Sequence, residues 1–218
     1  MAEASNVKID NDYFRQQVTG KITENQKLWA EIGSCGLSFV YADGRTDSKV
    51  VMIGEAPGRD EVRYGRPFAG KAGDILDEIL VKTGIPREEL YITNTVKYRL
   101  AAGGKRPGSI KNRPVKQDEI LYSLDWLRRE LEVIKPSLII TLGNVPLKAI
   151  LLIKNCAIMS ISDCHGTAQS ITVGDKEAQF VPLYHPASQI YNHDLKPVFE
   201  KDFYYIKSLY RTIRQEEK

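Results

Sequence analysis

Cysteine is scarce in this chain: Cys35, Cys156 and Cys164 are the only three among 218 residues. They are too few and too scattered for a disulfide framework, which points to a reducing compartment. No HxxxH, HxH or CxxC spacing occurs, so no metal site is expected. Long apolar runs are missing as well. VVMIG and SLIITLG are far too short to cross a bilayer, and no membrane partner is expected. The opening MAEASNVKIDNDYF has no apolar core, so it does not read as a secretory signal, and a soluble cytoplasmic protein is expected. Neither sign of charge dominates: 31 Lys and Arg face 28 Asp and Glu, a formal +3. That balance permits a nucleic-acid partner without demanding one. A GxxxxGK[ST] loop and a GxGxxG fingerprint are both absent, which argues against a nucleotide-binding enzyme of either type. No repeat, low-complexity tract or Pro/Gly/Ser-rich linker divides the chain, so a single domain over 1–218 and a monomer are expected.

What is present alternates. Phe14, Val18, Ile22, Leu28 and Trp29 fall near helical spacing and predict an N-terminal helical segment over about 1–34. KVVMIG, residues 49–54, is a continuous apolar run ending at glycine, the pattern of a buried parallel strand. Ile75, Leu76, Ile79 and Leu80 share a helical face in residues 73–84, with Gly84 at the C-cap position. A strand over 89–96 follows, then a Gly/Lys/Arg-rich stretch, about 100–113, read as an inserted loop without regular structure. A helix over 117–134 shows Ile120, Leu121, Leu124, Leu127, Leu131 and Ile134 as its stripe. Strands at SLIITLG and QFVPLY, a short helix at 145–153 and a closing helix at 199–213 complete the pattern. The alternation predicts an α/β fold: three layers, α/β/α, around a central, largely parallel four-stranded sheet. Ligands in such folds gather beyond the carboxyl ends of the strands.

The unusual residues follow those strand ends. GEAPGRDEVRYGRPFAGKAG runs from Gly54 to Gly73. Its glycines let backbone approach a ligand and leave amides free to point inward. Glu55 and Glu61 are candidates to orient a water, and Phe68 is a candidate stacking platform. Read as chemistry alone, the stretch is equally a strand-to-helix turn carrying a core phenylalanine.

The pattern GEAPGxxEx(3)GRPFxGxAGxxLD resembles the first motif of the uracil-DNA glycosylase superfamily, in particular its iron–sulfur branch, family four. YITNTVKYR at 91–99, YHPAS at 184–188 and PSLIITLGNVPLKAIL resemble further family segments in the same order. The resemblance implies a monofunctional hydrolase that cleaves the N-glycosidic bond of flipped-out uracil in DNA, the first step of base excision repair. It implies catalytic roles for Glu61, His185 and Asn112, the carboxylate and the amide acting on water and the histidine facing the pyrimidine. Glu55, Ala56, Phe68 and Asn94 would form the uracil-binding set. Lys105, Arg106 and Arg113 of the basic insertion, together with Pro186, Ala187 and Ser188, would contact DNA. The segment from Ala187 to Tyr191 is the expected wedge into the duplex. Two alternatives stay open: another deaminated base, hypoxanthine or xanthine, or a non-catalytic DNA-binding protein that keeps the fold.

The iron–sulfur branch holds its cluster with four cysteines. In this chain only Cys35 aligns with one of them, while Ile32, Tyr98 and Ser123 stand at the other three positions. No cluster, and no other cofactor, is expected.

Overall fold

Residues 38–104 and 109–216 of a computed structural model are described here. The predicted N-terminal helical segment, Ile32, Cys35, Lys105 and Arg106 lie outside them. Three apolar strands form the middle of a sheet because both of their faces are covered. These are β2 (Val50–Gly54), β3 (Tyr91–Asn94) and β6 (Leu138–Leu142), in which every residue is buried. Alternation splits the side chains between the two faces. Val51, Ile53, Tyr91, Ile139 and Phe180 point to one core, whereas Val50, Met52, Ile92, Leu138, Ile140 and Val181 point to the other.

The first core is closed by α3 (Gln117–Ile134) and α4 (Asn144–Ile153), through Leu127, Leu131, Leu147 and Ile150. The second is closed by α2 (Lys71–Thr83) and α7 (Leu195–Glu216), through Leu76, Leu80, Phe203 and Ile206. The result is the expected three-layer arrangement. Its sheet has six strands rather than four, in the order β1-β3-β2-β6-β8-β7. The four central strands, with β8 (Lys176–Leu183), run parallel. Antiparallel edges are added by β1 (Ala42–Gly44) on β3 and by β7 (Gln169–Val173) on β8. Both edges escaped the sequence reading because one is three residues long and the other carries little apolar weight.

Two further differences matter for the site. The Gly/Lys/Arg-rich stretch is not irregular throughout: β4 (Ala101–Gly103) pairs antiparallel with β5 (Ile110–Asn112), placing Asn112 opposite Ala101. The Gly104 amide donates to the Ser109 carbonyl at 2.7 Å and extends the hairpin outward. Backbone pairing forms this ladder in spite of a composition poor in strand formers. On α3, Leu121 is exposed, and Ser123, Trp126 and Glu130 occupy the buried face instead.

From β2 the chain passes to β3 on one side, and later to β6 on the other. That reversal is the switch point at which doubly wound sheets place ligands. Gly54 and Asn94, the last residues of β2 and β3, are register partners there.

Candidate active site

The loop leaving β2 is held by one carboxylate. Glu61 is the third residue of α1 (Arg59–Tyr64) and reaches back to accept the Gly58 amide in capping-box fashion. Its other oxygen accepts the Phe68 amide. Burial raises the Glu61 pKa above the usual carboxylate range, with those two amides opposing the shift. Each carboxylate oxygen has a second lone pair, so two acceptor positions remain.

Phe68 adopts φ 52°, a left-handed conformation that costs a non-glycine residue about 1–3 kcal/mol and persists only where its surroundings impose it. Here three contacts do so. Glu61 takes its amide, Arg87 Nη2 donates to the Pro67 carbonyl at 2.9 Å, and Gly73 packs against the Phe68 carbonyl. A β-carbon at Gly73 would stand 1.9 Å from that oxygen, so only glycine fits.

The constrained ring forms one wall of a cavity of about 280 Å³. His185, two residues beyond β8, forms another wall; the two rings lie at 28° with centroids 5.9 Å apart. The Ala187 amide donates to His185 Nδ1 at 3.2 Å, which makes Nδ1 the acceptor and puts the proton of the neutral ring on Nε2. Burial lowers the His185 pKa to about 4, so the ring is neutral near pH 7. Asn94 is 1% exposed, and its Nδ2 has no hydrogen-bond partner. A buried amide donor left unmatched is costly unless a ligand completes it.

Glu55, Ala56, Gly58, Leu100, Asn112 and Ala187 also line the cavity. The Glu55 carboxyl is raised above its ordinary pKa by burial, and a hydrogen bond from the Val115 backbone opposes this. Asn112, at the inner end of the hairpin, accepts from Arg99 Nε at 3.1 Å through Oδ1. Its Nδ2 and Glu61 Oε2 converge on one point, each 3.2 Å from where a β-carbon on Gly58 would lie.

The structure thus gathers Glu55, Ala56, Glu61, Phe68, Asn94, Asn112, Arg113, His185 and Ala187 around one cavity. Arg113 is already engaged there: its guanidinium donates to both oxygens of buried Glu119, at 2.9 and 2.6 Å. Pro186 is buried, while Ser188 opens the short helix α6 (Ser188–Tyr191), its amide donating to the His185 carbonyl at 2.8 Å. In α6, Tyr191 is 88% exposed. His165 pairs with Asp202 at 2.7 Å and packs its ring on Tyr184, and it does not line this cavity.

Sequence reasoning missed the support beneath Asn94. Lys97 and Glu130 form a fully buried ion pair at 2.5 Å, and Tyr91 and Thr93 donate to the same carboxylate at 2.7 and 3.0 Å. Lys97 also donates to Thr93, next in sequence to Asn94. The signal was present in the sequence: Glu130 is a charge on the face defined by Leu127 and Ile134.

The residues at the cluster positions do not fit an iron–sulfur group. Tyr98 is fully buried, its ring 5.8 Å from that of Phe39, in a cluster with Val96, Leu100 and Trp126. Ser123 donates its hydroxyl to the Glu119 carbonyl at 2.8 Å. A phenol and an occupied hydroxyl do not replace thiolates.

The sequence model of the Uracil DNA glycosylase superfamily matches residues 41–207. The chain belongs to that superfamily. It is 34% identical over 166 residues to the Type-4 uracil-DNA glycosylase of Archaeoglobus fulgidus, covering 76% of this chain and 79% of the relative. Against the Type-4 uracil-DNA glycosylase of Thermotoga maritima the identity is 30% over 203 residues, 90% and 96% of the two chains. A DNA polymerase of Bacillus phage SP01 is 32% identical over 167 residues, 76% of this chain but 16% of the polymerase. Among the described residues no helix is long and apolar enough to cross a membrane, and no group of three or more His, Cys, Asp or Glu could hold a metal ion.

Proposed function

We propose that this protein hydrolyses the N-glycosidic bond of a uracil extruded from DNA, leaving an abasic site for repair. The observation that carries the reading is the unmatched Asn94 Nδ2, buried in a cavity shared with the Phe68 ring and the neutral His185. Asn94 donates Nδ2–H to a uracil carbonyl and accepts the adjacent imide N–H on Oδ1. Cytosine presents the reverse pattern and leaves both groups mismatched. Phe68 stacks on the base and offsets part of the unstacking cost, a few kcal/mol.

Bond cleavage places positive charge on the sugar and negative charge on the departing base. His185 donates Nε2–H to the second carbonyl, where that negative charge develops. Its backbone-fixed tautomer supports this role, because the donor is aimed before the substrate arrives. Glu61 and Asn112 hold the attacking water through the acceptor sites that the loop amides leave open and through Asn112 Nδ2. Water adds at C1′, its proton passes to the carboxylate, and the bonding pair leaves with the base as an anion. Glu55, half-buried, lines the same cavity and shapes its wall.

The similarity to a phage DNA polymerase favours one other reading, a DNA-binding module associated with replication. A panel of labelled oligonucleotides carrying uracil, hypoxanthine or xanthine, treated with wild type and His185→Ala, separates the readings. Alkali-labile cleavage at uracil, lowered by at least about 100-fold in His185→Ala, is the expected result. No cleavage of any of the three with wild type ends the enzyme reading.

A further inference from the structure

A second cavity of about 320 Å³ adjoins the base cavity, and Arg59, Lys71, Arg99 and Ile110 line it. Gly58, Glu61, Phe68, Ala72 and Asn112 line both, so these residues form the partition. Nothing in the base chemistry uses the second space. Its two carboxylates are engaged: Asp60 pairs with Arg59 at 3.1 Å, and Glu61 accepts the Gly58 and Phe68 amides. Cationic character therefore falls to Lys71, exposed at the rim, and Arg99, partly buried in the wall.

Arg99 is held for a purpose that its protein contacts do not exhaust. Its backbone amide donates to the Ser38 carbonyl at 3.1 Å, and its Nε donates to Asn112. The backbone bond holds the chain segment, and the Nε bond ties the guanidinium to Asn112 and leaves its terminal amino groups for an acceptor. A planar fork with two parallel donors matches phosphate oxygens. Ile110, 47% exposed on the hairpin, adds an apolar surface of the kind a deoxyribose covers.

We propose that this second cavity holds the phosphodiester next to the extruded nucleotide, with Arg99 as its main ligand and Lys71 at the rim. The inference rests on the glycosylase reading and extends it from the base to the strand. The contact also links binding to chemistry. A phosphate seated on Arg99 fixes the side chain that orients Asn112, which makes Arg99 a positioning residue as well as a phosphate ligand.

The test uses uracil oligonucleotides in which one phosphate, on either side of the uracil, is replaced by a neutral methylphosphonate. Affinity and single-turnover excision are measured across a salt series for wild type, Arg99→Gln, Arg99→Lys and Lys71→Gln. Arg99→Gln should weaken binding about ten-fold, the scale of a hydrogen bond to a charged group, and flatten the log–log salt slope by about one. One methylphosphonate position should cost wild type a similar factor and add little in Arg99→Gln. Arg99→Lys should recover the salt slope but not the excision rate. Lys71→Gln, at an exposed position, should show a smaller loss at the same phosphate. Lys135→Gln, at the opposite end of the sheet, serves as the control and should match wild type.

If each methylphosphonate still costs Arg99→Gln its full wild-type factor and the salt slope is unchanged, the assignment is overturned. If wild type excises nothing, the glycosylase reading falls, and the binding arm alone decides the phosphate site by the same criterion.

Discussion

The side-chain oxygen of Asn94 lies against the α-carbon of Gly54, its register partner across β2 and β3: a β-carbon on Gly54 would stand 2.3 Å from it. The same β-carbon would be 2.8 Å from two carbons of the Phe68 ring. One missing methyl group therefore sets the spacing between the Asn94 amide and the Phe68 ring. Gly54→Ala should displace both side chains without touching the substrate. Excision should fall by about 100-fold, the cost of a misplacement on the order of 1 Å. Stability should fall by about 1–3 kcal/mol. Oligonucleotide cleavage and urea unfolding measure the two, and a near-normal rate would show that this contact does not tune the site.

The acid side of the pH–rate profile should belong to a carboxylate. His185 is already neutral above about pH 4, so its protonation cannot produce an inflection near the ordinary histidine value. Burial raises the Glu61 pKa, and the rate should fall on acidification as this group takes up its proton. The acid-side bend should lie above the ordinary glutamate value and should be present in wild type and in His185→Gln alike. A bend near pH 6.5 that vanishes in His185→Gln would contradict the neutral assignment. Linkage has a matching sign. The folded His185 binds its proton more weakly than the unfolded one, so its contribution is complete above pH 6.5 and is lost as pH falls toward 4.

The buried pair of Lys97 and Glu130 should be far more sensitive to half-removal than to replacement. Lys97→Met leaves the Glu130 carboxylate buried without its cation, and a cost of about 3–5 kcal/mol is expected. The double variant Lys97→Met with Glu130→Leu should recover much of that loss. Urea midpoints of the single and double variants, read as a cycle, provide the measurement. Additive losses would mean that the two charges are not coupled.

The purified protein should be colourless, with far less than stoichiometric iron after anaerobic preparation. Tyr98 fills its place as packed apolar volume, so Tyr98→Ala should cost about 3–5 kcal/mol. Metal analysis and thermal unfolding check both statements. Stoichiometric iron would mean that cysteines outside the aligned positions ligate it.

Much of this was legible in the chain because its central strands are buried on both faces. An apolar run such as VVMIG admits few other readings, and helix α3 begins and ends at the residues its periodicity marks. The candidate site residues stood out in the sequence for a different reason. Gly54, Phe68 and Gly73 are fixed by close contacts that tolerate little substitution, so a recognisable spacing survives. The hairpin was hidden because a two-stranded ladder of AAG against IKN has almost no side-chain signal and depends on backbone bonds. The contact between Arg99 and Asn112 was hidden because they lie thirteen residues apart and only the ladder brings them together. For Arg113 the sequence displayed a charge but not its partner, and Glu119 had already claimed it.

Pairing of Ala101 with Asn112 fixes the register at the inner end of the β4–β5 hairpin. Antiparallel register has a period of two, so one residue added within the ladder would turn Asn112 to the opposite face. Residues added or removed beyond Gly104 and Ser109 leave that register intact. The hairpin therefore works like a tool with a fixed blade and an exchangeable handle: changes of length beyond the ladder leave the blade in place, and its inner end keeps the amide beside Glu61.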